Sequence, residues 1–277
     1  MVTGSSGMLG TDAVRILRSV GEEVVAHTRT TLDLGEPAAL REAVAGTDVV
    51  LNCAAYTAVD DAETDEATAL QVNGAIPGAL AAACAEEGAR LVQISTDYVF
   101  SGDARTPYAE DAATDPRSAY GRTKEAGERA VREALPADHL IVRTAWLYGA
   151  HGACFPKTIA RLARERGALS VVADQVGQPT WTVDVVDLVR HLVDAGAAGT
   201  FHATASGETS WYGFARAVVA AAGLDPEIVS PTDTASFPRP APRPAYSVLG
   251  HDALSAAGVA PIGDWAERWG RASAVVV

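Results

Sequence analysis

Lysine and cysteine are both scarce in this chain. Only two of the 22 basic residues are lysines, Lys124 and Lys157, and the three cysteines, Cys53, Cys84 and Cys154, form no C-x-x-C pair. An odd number of cysteines without that spacing is typical of reduced thiols in a cytoplasmic protein. The six histidines also lack metal-ligand spacing, so we expect no metal site.

Basic stripes and long apolar runs are absent as well. The net charge is −13, which makes nucleic acid a poor partner because a phosphate backbone requires clustered basic residues. No run of about 18 apolar residues occurs, so we expect no membrane span. The first residues carry neither the basic region nor the apolar segment of a signal peptide. With 277 residues, 48% of them hydrophobic, the chain can form one large domain or two modest ones.

Short apolar runs alternate with helical patterns through the first half of the chain, which predicts a parallel sheet with crossover helices. Strands are predicted at 1–3, 24–27, 48–51, 91–94 and 139–143, and helices at 9–20, 37–45, 62–87 (interrupted or kinked at Pro77) and 119–135. Later helices are predicted at 157–166, 183–195 and 211–222, with a strand at 200–202 and a proline-rich loop at 231–244. We predict an α/β fold with a Rossmann-type doubly wound parallel sheet at 1–147, which later segments can join, and a smaller C-terminal α/β domain at 148–277.

Three glycines follow the first strand directly. Gly4, Gly7 and Gly10 are spaced G-x-x-G-x-x-G and open the first predicted helix. Glycine allows a positive φ and a close approach of the backbone to a pyrophosphate, while the helix amides face the anion. The setting predicts a dinucleotide site in this loop, and the alternative is an ordinary β–α turn. Only three residues precede Gly4, so the first strand is expected to be short.

The residues after the second strand indicate which dinucleotide binds. The strand runs into Thr28, Arg29 and Thr30, with no acidic residue placed to accept the ribose 2′-hydroxyl. Arg29 can pair with a 2′-phosphate, which favours NADPH while leaving NADH open. The alternative is a solvated surface arginine.

A tyrosine and a lysine lie four residues apart in the helix predicted at 119–135. Tyr120 and Lys124 therefore share one face of that helix. A phenol, with an unperturbed pKa of about 10, serves proton transfer near neutral pH when an ammonium group and a positive nicotinamide ring lower that pKa. The pair predicts a nicotinamide-dependent reductase. The alternative is a surface aromatic beside a solvated lysine.

Polar residues follow the third and fourth predicted strands, at 52–57 and 95–98. Ligands bind at the carboxyl ends of strands in open parallel sheets. The Thr96 hydroxyl can therefore hydrogen-bond the substrate oxygen that Tyr120 protonates, unless it serves only as a cap or turn. The small residues that follow Asn52 suit close approach of a cofactor.

Several longer runs carry a family resemblance: VTGSSGMLG (2–10), NCAAYTAVDDAE (52–63), STDYVFSG (95–102), YGRTK (120–124), RTAWLYG (143–149) and DQVGQPT (174–180), extended by FHATASGETSWYGFA (201–215) and RPAYSVLG (243–250). They resemble the extended short-chain dehydrogenase/reductase family, and within it the dTDP-4-dehydrorhamnose reductases. The resemblance covers nearly the whole chain. It implies a cofactor domain and a C-terminal substrate domain, and reduction of the C4 ketone of dTDP-4-dehydro-L-rhamnose by NADPH.

The resemblance also implies roles for individual residues. It assigns catalysis to Thr96, Tyr120 and Lys124, with Tyr120 as proton donor, and contacts with the dTDP-linked 4-keto-6-deoxyhexose to Thr96, Asp97, Tyr98 and Trp146. Together with the loop analysis, it places cofactor contacts at Gly4, Gly7, Met8, Leu9, Gly10, Arg29, Asp33, Leu34, Ala54, Ala55, Tyr56, Thr57, Tyr120 and Lys124. A metal held between subunits in some family members is not carried over, because Asp12 has no identified partner acids. A homodimer is compatible with these patterns.

Two other functions stay open at this point. One is a sibling 4-ketoreductase that makes a different deoxysugar for a natural product. Tyr246 and Val248 stand where other family members can have polar or basic residues, so the resemblance does not fix which sugar is the substrate. The other is a non-catalytic NADP-binding regulatory subunit with a related fold. The presence of Thr96, Tyr120 and Lys124 favours an enzyme over this alternative.

Overall fold

In the computed structural model, strands and helices alternate along the first 144 residues. In chain order they are β1 (Val2–Thr3), α1 (Met8–Ser19), β2 (Ala26–His27), α2 (Pro37–Val44), β3 (Val49–Asn52), α3 (Glu66–Leu70), α4 (Ile76–Glu87), β4 (Arg90–Thr96), α5 (Ala119–Ala134) and β5 (His139–Thr144). The later chain adds β6 (Leu147–Tyr148), α6 (Phe155–Arg166), β7 (Leu169–Val172), β8 (Val176–Gly177), β9 (Thr180–Trp181), α7 (Thr182–Asp194), β10 (Gly199–His202), β11 (Ala205–Ser206), β12 (Thr209–Ser210), α8 (Trp211–Ala221), β13 (Val229–Thr232), α9 (Asp252–Ala256), β14 (Ile262–Asp264) and α10 (Trp265–Val276).

Six parallel strands form the main sheet, in the order β2-β1-β3-β4-β5-β10. The strand order reverses between β1 and β3, which is where doubly wound sheets open a ligand crevice at their carboxyl ends. The predicted Rossmann-type fold is confirmed, and the first strand is short, as expected. Residues 199–202 lie in this sheet beside β5, although they come late in the chain. The division into two domains at residue 147 stays a prediction.

Helices cover both faces of the sheet. Buried residues of α1 and α7, among them Ile16 and Val189, form one apolar cluster with the strands. Buried residues of α2, α4 and α5, among them Leu40, Leu80 and Val131, form a second cluster on the other face. In α1, α2, α5 and α7, apolar residues at helical spacing bury one stripe of each helix, whereas α4 is apolar around most of its surface and packs against both α2 and α5. No helix combines the length and the apolar composition needed to cross a bilayer.

The helix predicted at 62–87 begins at Glu66 and changes from α-helical to π-helical geometry and back along its length. A 3₁₀ turn at Asp61–Glu63 precedes α3, and a π-helical turn at Gln71–Ala75 separates α3 from α4. Pro77 lies in the first turn of α4, where its missing N–H costs least. The irregularity is thus a π-helical turn that ends two residues before Pro77, and the helical backbone continues through the proline without a break.

The later part of the chain builds a second apolar centre. Phe214 of α8 is completely buried, and its ring packs against Tyr148, Phe155, Trp265 and Trp269 at centroid distances of 5.3–6.0 Å. Strand β13 pairs in parallel with β7, and α6, α8 and α10 pack around the ring cluster.

The strand predicted at 24–27 is shorter than expected, because only residues 26–27 pair with β1.

Candidate active site

The glycine loop and the loop after β3 touch at the reversal point of the sheet. Gly4 has φ +62°, and a Cβ at this position would lie 2.6 Å from the amide nitrogen of Ala54. A Cβ on Gly10 would strike the Gly4 carbonyl oxygen. Only glycine fits these two positions, because any side chain would displace backbone. The two loops therefore form a narrow crevice where backbone can approach a ligand closely.

The start of α1 is suited to an anion. Gly7 is the N-cap and offers no side-chain cap, and the first turn contains no acidic residue. The first amides of a helix point outward and carry a partial positive charge, so they can hold a pyrophosphate. Met8 and Leu9 form this first turn, and Leu9 also packs into the apolar core. The residues present fit a dinucleotide in the place that the glycine spacing predicts.

The turn after β2 presents a free cation. Hydrogen bonds among Thr28, Thr30 and Thr31 tighten this turn, including 2.9 Å from the Thr28 amide to the Thr31 hydroxyl. Arg29 points outward from the turn and is exposed. Farther along, Asp33 accepts the amide of Gly35 at 2.9 Å. The guanidinium of Arg29 is therefore available to a ligand phosphate at the end of β2.

A row of polar side chains joins the carboxyl ends of β1 and β3 to the middle of β4. Thr3 donates to Asn52 at 2.6 Å, Asn52 donates to Gln93 at 2.7 Å, and Gln93 donates to the Ile94 carbonyl at 2.8 Å. Lys124 donates to the same carbonyl at 2.7 Å. Because all these groups are buried and satisfied, the row fixes the strand ends and the lysine relative to one another.

Tyr120 stands in the first turn of α5, directly after Ala119. The Ser118 hydroxyl caps the helix by accepting the Gly121 amide at 3.1 Å. Burial raises the pKa of Tyr120 to about 12, and its contact with the Thr96 hydroxyl acts in the opposite direction. The phenol therefore keeps its proton through neutral pH. Thr96 and Tyr120, predicted from different segments of the sequence, come together here.

Lys124 follows one turn later and is 4% exposed. Burial lowers its pKa to about 8, while the charge of Glu128 acts to raise it. The lowering of the Tyr120 pKa by this lysine stays a prediction.

Asp97 is buried next to Thr96 and has one free oxygen. Its Oδ1 accepts the Thr96 hydroxyl at 2.9 Å, whereas its Oδ2 has no hydrogen-bond partner. Burial raises the pKa of Asp97 to about 6, and the nearby hydroxyls of Ser247 and Thr96 act in the opposite direction. A buried acceptor without a partner is costly, so this oxygen is suited to a hydroxyl donor of a ligand. Tyr98 lies beside the pair, with its ring edge-on to that of Tyr120 at 5.6 Å.

An ion pair behind the lysine is the main feature that the sequence reading missed. Glu128 is fully buried and accepts two hydrogen bonds from Arg143, at 2.9 and 2.7 Å, one from Arg132 at 2.8 Å and one from Ser95 at 2.6 Å. Its charge is thus compensated, and it links β4, α5 and β5. Glu128 lies one helical turn after Lys124, and this spacing is the one signal that could have indicated it.

Asn73 is a second positioning residue that the sequence motifs do not predict. It accepts the Tyr56 amide at 2.9 Å, donates to the Tyr56 carbonyl at 3.1 Å and donates to the Thr123 hydroxyl at 3.1 Å. These bonds fix the loop that contains Ala54, Ala55, Tyr56 and Thr57 against α5. Asn73 lies in the π-helical turn, so the irregularity in that helix has a role in placing this loop.

Trp146 lies near the site in a strained conformation. Its φ is +47°, the only positive value among the non-glycine residues. Its ring stacks on Trp211 at 3.6 Å, and a Cβ on Gly177 would lie 2.5 Å from the indole. Strained residues of this kind concentrate at functional sites, which fits the predicted substrate contact.

The family model described as the RmlD substrate binding domain matches residues 1–276. The chain belongs to this family. A probable dTDP-4,6-dihydroxy-2-methyloxan-3-one 4-ketoreductase from Streptomyces antibioticus is 51% identical over 96% of this chain and 91% of its own length. The dTDP-4-dehydrorhamnose reductase of Streptomyces griseus is 48% identical over 96% of this chain and 90% of its own length.

Solved structures agree with the sequence relatives. The dTDP-4-dehydrorhamnose reductase of Bacillus anthracis, determined in complex with NADP, is 35% identical to this chain and superposes with a TM-score of 0.94. The match covers 98% of this chain and 96% of that one. The resemblance to dTDP-4-dehydrorhamnose reductases that the sequence motifs predict is confirmed.

Proposed function

We propose that this protein reduces the C4 ketone of a dTDP-linked 4-keto-6-deoxyhexose, with NADPH as the hydride source and Tyr120 as the proton donor. The first candidate substrate is dTDP-4-dehydro-L-rhamnose, which would yield dTDP-L-rhamnose. The observation that carries the proposal is the meeting of Thr96, Tyr120 and Lys124 at the carboxyl edge of the sheet, beside the glycine crevice. The names of the relatives point to the same reaction.

Each side chain has a defined part in this chemistry. NADPH, when bound in the glycine crevice, supplies the hydride that reaches C4. Tyr120 keeps its proton at neutral pH and gives it to the ketone oxygen, and Thr96 hydrogen-bonds the same oxygen. Lys124 would hold the nicotinamide ribose through its ammonium group. Asp97, through its free Oδ2, accepts a sugar hydroxyl, and Trp146 borders the sugar nucleotide.

Cofactor choice tests the role of Arg29. Arg29→Gln should lower the kcat/KM ratio of NADPH to NADH by about tenfold, because one charge-assisted hydrogen bond to the 2′-phosphate is worth roughly 1.4 kcal/mol at an exposed site. Initial rates with each cofactor measure this. The NADH constants of the variant serve as the control and should not change. An enzyme that prefers NADH before any substitution would contradict the 2′-phosphate role.

The pH dependence of the reduction should follow from two side chains whose pKa values are shifted. Asp97, with its pKa raised to about 6, is charged only above that pH, and Lys124, with its pKa lowered to about 8, is charged only below that pH. We therefore expect kcat/KM to rise through about pH 6 and to fall through about pH 8. Asp97→Asn should remove the acidic limb, and Lys124→Arg should move the basic limb upward because arginine stays charged. Unchanged limbs in these variants would rule out the assignment.

A second candidate substrate is favoured by one comparison. The relative from Streptomyces antibioticus, at 51% identity, is named for 4-keto reduction of a different dTDP-sugar. A sibling reductase would use the same Thr96, Tyr120 and Lys124 but would bind the sugar ring in a different orientation. The two candidates therefore diverge in substrate and in the configuration of the new hydroxyl at C4.

Turnover with defined substrates tests the proposed function. Purified protein is supplied with NADPH and with dTDP-4-dehydro-L-rhamnose or its 4-keto isomers, and the product is examined by NMR. The account predicts consumption of NADPH and one new C4 alcohol, whose configuration separates the two candidates. A non-catalytic regulatory subunit would bind NADPH, form a stable complex with another protein and consume no cofactor with any of these sugars.

A further inference from the structure

Trp146 is held in a strained backbone conformation by contacts with two other segments of the chain. Its φ of +47° lies in the left-handed region, which a residue with a bulky side chain adopts only when its surroundings enforce it. The ring of Trp211 stacks on the indole at a centroid distance of 3.6 Å and an interplanar angle of 7°. A Cβ on Gly177 would lie 2.5 Å from Cε2 and 2.7 Å from Nε1 of the indole. The indole is therefore fixed in one orientation.

The two residues that hold Trp146 belong to the later part of the chain. Strand β8, which contains Gly177, pairs with β12, and Trp211 follows β12 directly as the first residue of α8. Trp211 also packs against the ring of Phe155, at a centroid distance of 4.4 Å. Phe155 packs in turn against the fully buried ring of Phe214, at 5.7 Å. A continuous series of rings thus runs from the second apolar centre to Trp146.

The indole of Trp146 stands at the same edge of the main sheet as the catalytic group. Trp146 comes two residues after Thr144, the last residue of β5, and Thr144 is paired in register with Thr96 of β4. The Trp146 carbonyl accepts the amide of Thr180 at 3.3 Å, so its backbone is fixed as well as its ring. Trp146 and Trp211 are both half-buried. A partly exposed aromatic ring at this edge is suited to pack against the apolar face of a sugar.

A role in packing alone does not account for the strain at Trp146. Trp265 and Trp269 also belong to the ring cluster around Phe214, and neither has a positive φ, since Trp146 is the only non-glycine residue with one. Strain of this kind concentrates at ligand sites, where one particular placement of a side chain is needed. A side chain that is already fixed loses less conformational entropy when it binds a ligand. The contacts with Trp211 therefore preorganise Trp146 for binding.

We propose that Trp211 is a positioning residue for the sugar of the substrate: together with Gly177, it holds the Trp146 indole in the orientation that packs against the sugar ring. The inference rests on the proposed function for the identity of the ligand. Trp211 acts through Trp146 and does not need to touch the substrate. Changes at Trp211 should therefore weaken binding of the sugar and leave binding of the nucleotide intact.

Calorimetry with dTDP-L-rhamnose and with dTDP on the NADP⁺-loaded protein isolates the contribution of the sugar as the ratio of the two dissociation constants. The sugar should strengthen binding to the wild type, and Trp211→Leu should reduce this gain about fivefold, as expected for a lost aromatic contact, without changing dTDP affinity. Trp211→Phe keeps a ring against the indole and should restore most of the gain. Trp265→Leu is the matched control, because its ring packs against Phe214 at 6.0 Å and lies outside the stack.

Two further variants separate positioning from a general loss of structure. In the Trp146→Leu background, Trp211→Leu should have no further effect on the gain from the sugar, because Trp211 acts through Trp146. Gly177→Ala places a methyl group against the indole and displaces it by a different contact. This variant should also reduce the gain, which keeps the proposal testable if Trp211→Leu does not fold.

Three results would overturn the proposal. They are equal weakening of dTDP and dTDP-L-rhamnose by Trp211→Leu, an unchanged gain in both Trp211→Leu and Gly177→Ala, and additive effects of Trp146→Leu and Trp211→Leu. A wild-type protein that reduces the ketosugar with NADPH but binds dTDP-L-rhamnose no more tightly than dTDP would overturn it as well. Because calorimetry measures no turnover, failure of the proposed reduction would show in the separate NADPH assay.

Discussion

Replacing Tyr120 with phenylalanine should reduce kcat for NADPH-dependent reduction by about 10²- to 10⁴-fold, the range expected when one general acid is lost. The substitution removes only the hydroxyl, and the ring can still pack against Ala62, Ala69 and Ala119. We therefore expect normal folding and near-normal NADPH binding. Steady-state rates, fluorescence titration with NADPH and thermal melting measure the three properties.

Tyr98→Phe provides the matched comparison. It deletes the same hydroxyl from a ring that lies 5.6 Å away, also at the site. Because Tyr98 is expected to contact the substrate without donating the proton, this variant should raise KM more than it lowers kcat. If Tyr98→Phe loses the rate and Tyr120→Phe retains it, the two tyrosines have been assigned the wrong roles.

Replacing Gly4 with alanine should destabilise the protein by roughly 2–5 kcal/mol and raise the NADPH KM at least about tenfold. Two costs add here: a positive φ that alanine adopts poorly, and a Cβ placed 2.6 Å from the Ala54 amide nitrogen. The steric clash of the new Cβ with Ala54 pushes the glycine loop away from the loop after β3. The crevice that would hold the pyrophosphate then loses its shape.

Gly46→Ala isolates the conformational cost. Gly46 has φ +69°, close to that of Gly4, but a Cβ there would meet no atom within 4 Å. We expect a loss of only about 1 kcal/mol and an unchanged NADPH KM. Urea denaturation and initial rates compare the two variants. Equal effects of the two substitutions on KM would show that the contact with Ala54 does not shape the cofactor site.

The centre of the main sheet was predictable from sequence because β3, β4 and β5 contain compact apolar runs and polar residues follow β3 and β4. The small strand pairs were not, since β6, β8, β9, β11 and β12 are two residues long and show no periodicity. The placement of β10 beside β5 depends on packing between distant segments. The π-helical turn before Pro77 likewise reflects the packing of Asn73 against α5, which local propensity does not encode.

The catalytic group was predictable because its spacing is local: Tyr120 and Lys124 share a helix face, and Thr96 ends a strand. Contacts between residues far apart in the sequence could not be predicted, because no local pattern indicates them. Asp60 and Arg243 form an ion pair although they are 183 residues apart in sequence, and Arg143 stands inside an apolar strand where a buried guanidinium is not anticipated. Glu128 could have been indicated by its position after Lys124, but its partner could not.

The central claim is that hydride passes from NADPH to C4 of a dTDP-linked 4-ketosugar. It is tested most directly by NADPH that carries deuterium at the transferred position of the nicotinamide, with product analysis by NMR. The account predicts one deuterium per product molecule, bonded to C4 of the sugar, and one NADPH oxidised for each alcohol formed. Deuterium at any other sugar carbon, or a C4 alcohol without deuterium, would contradict it.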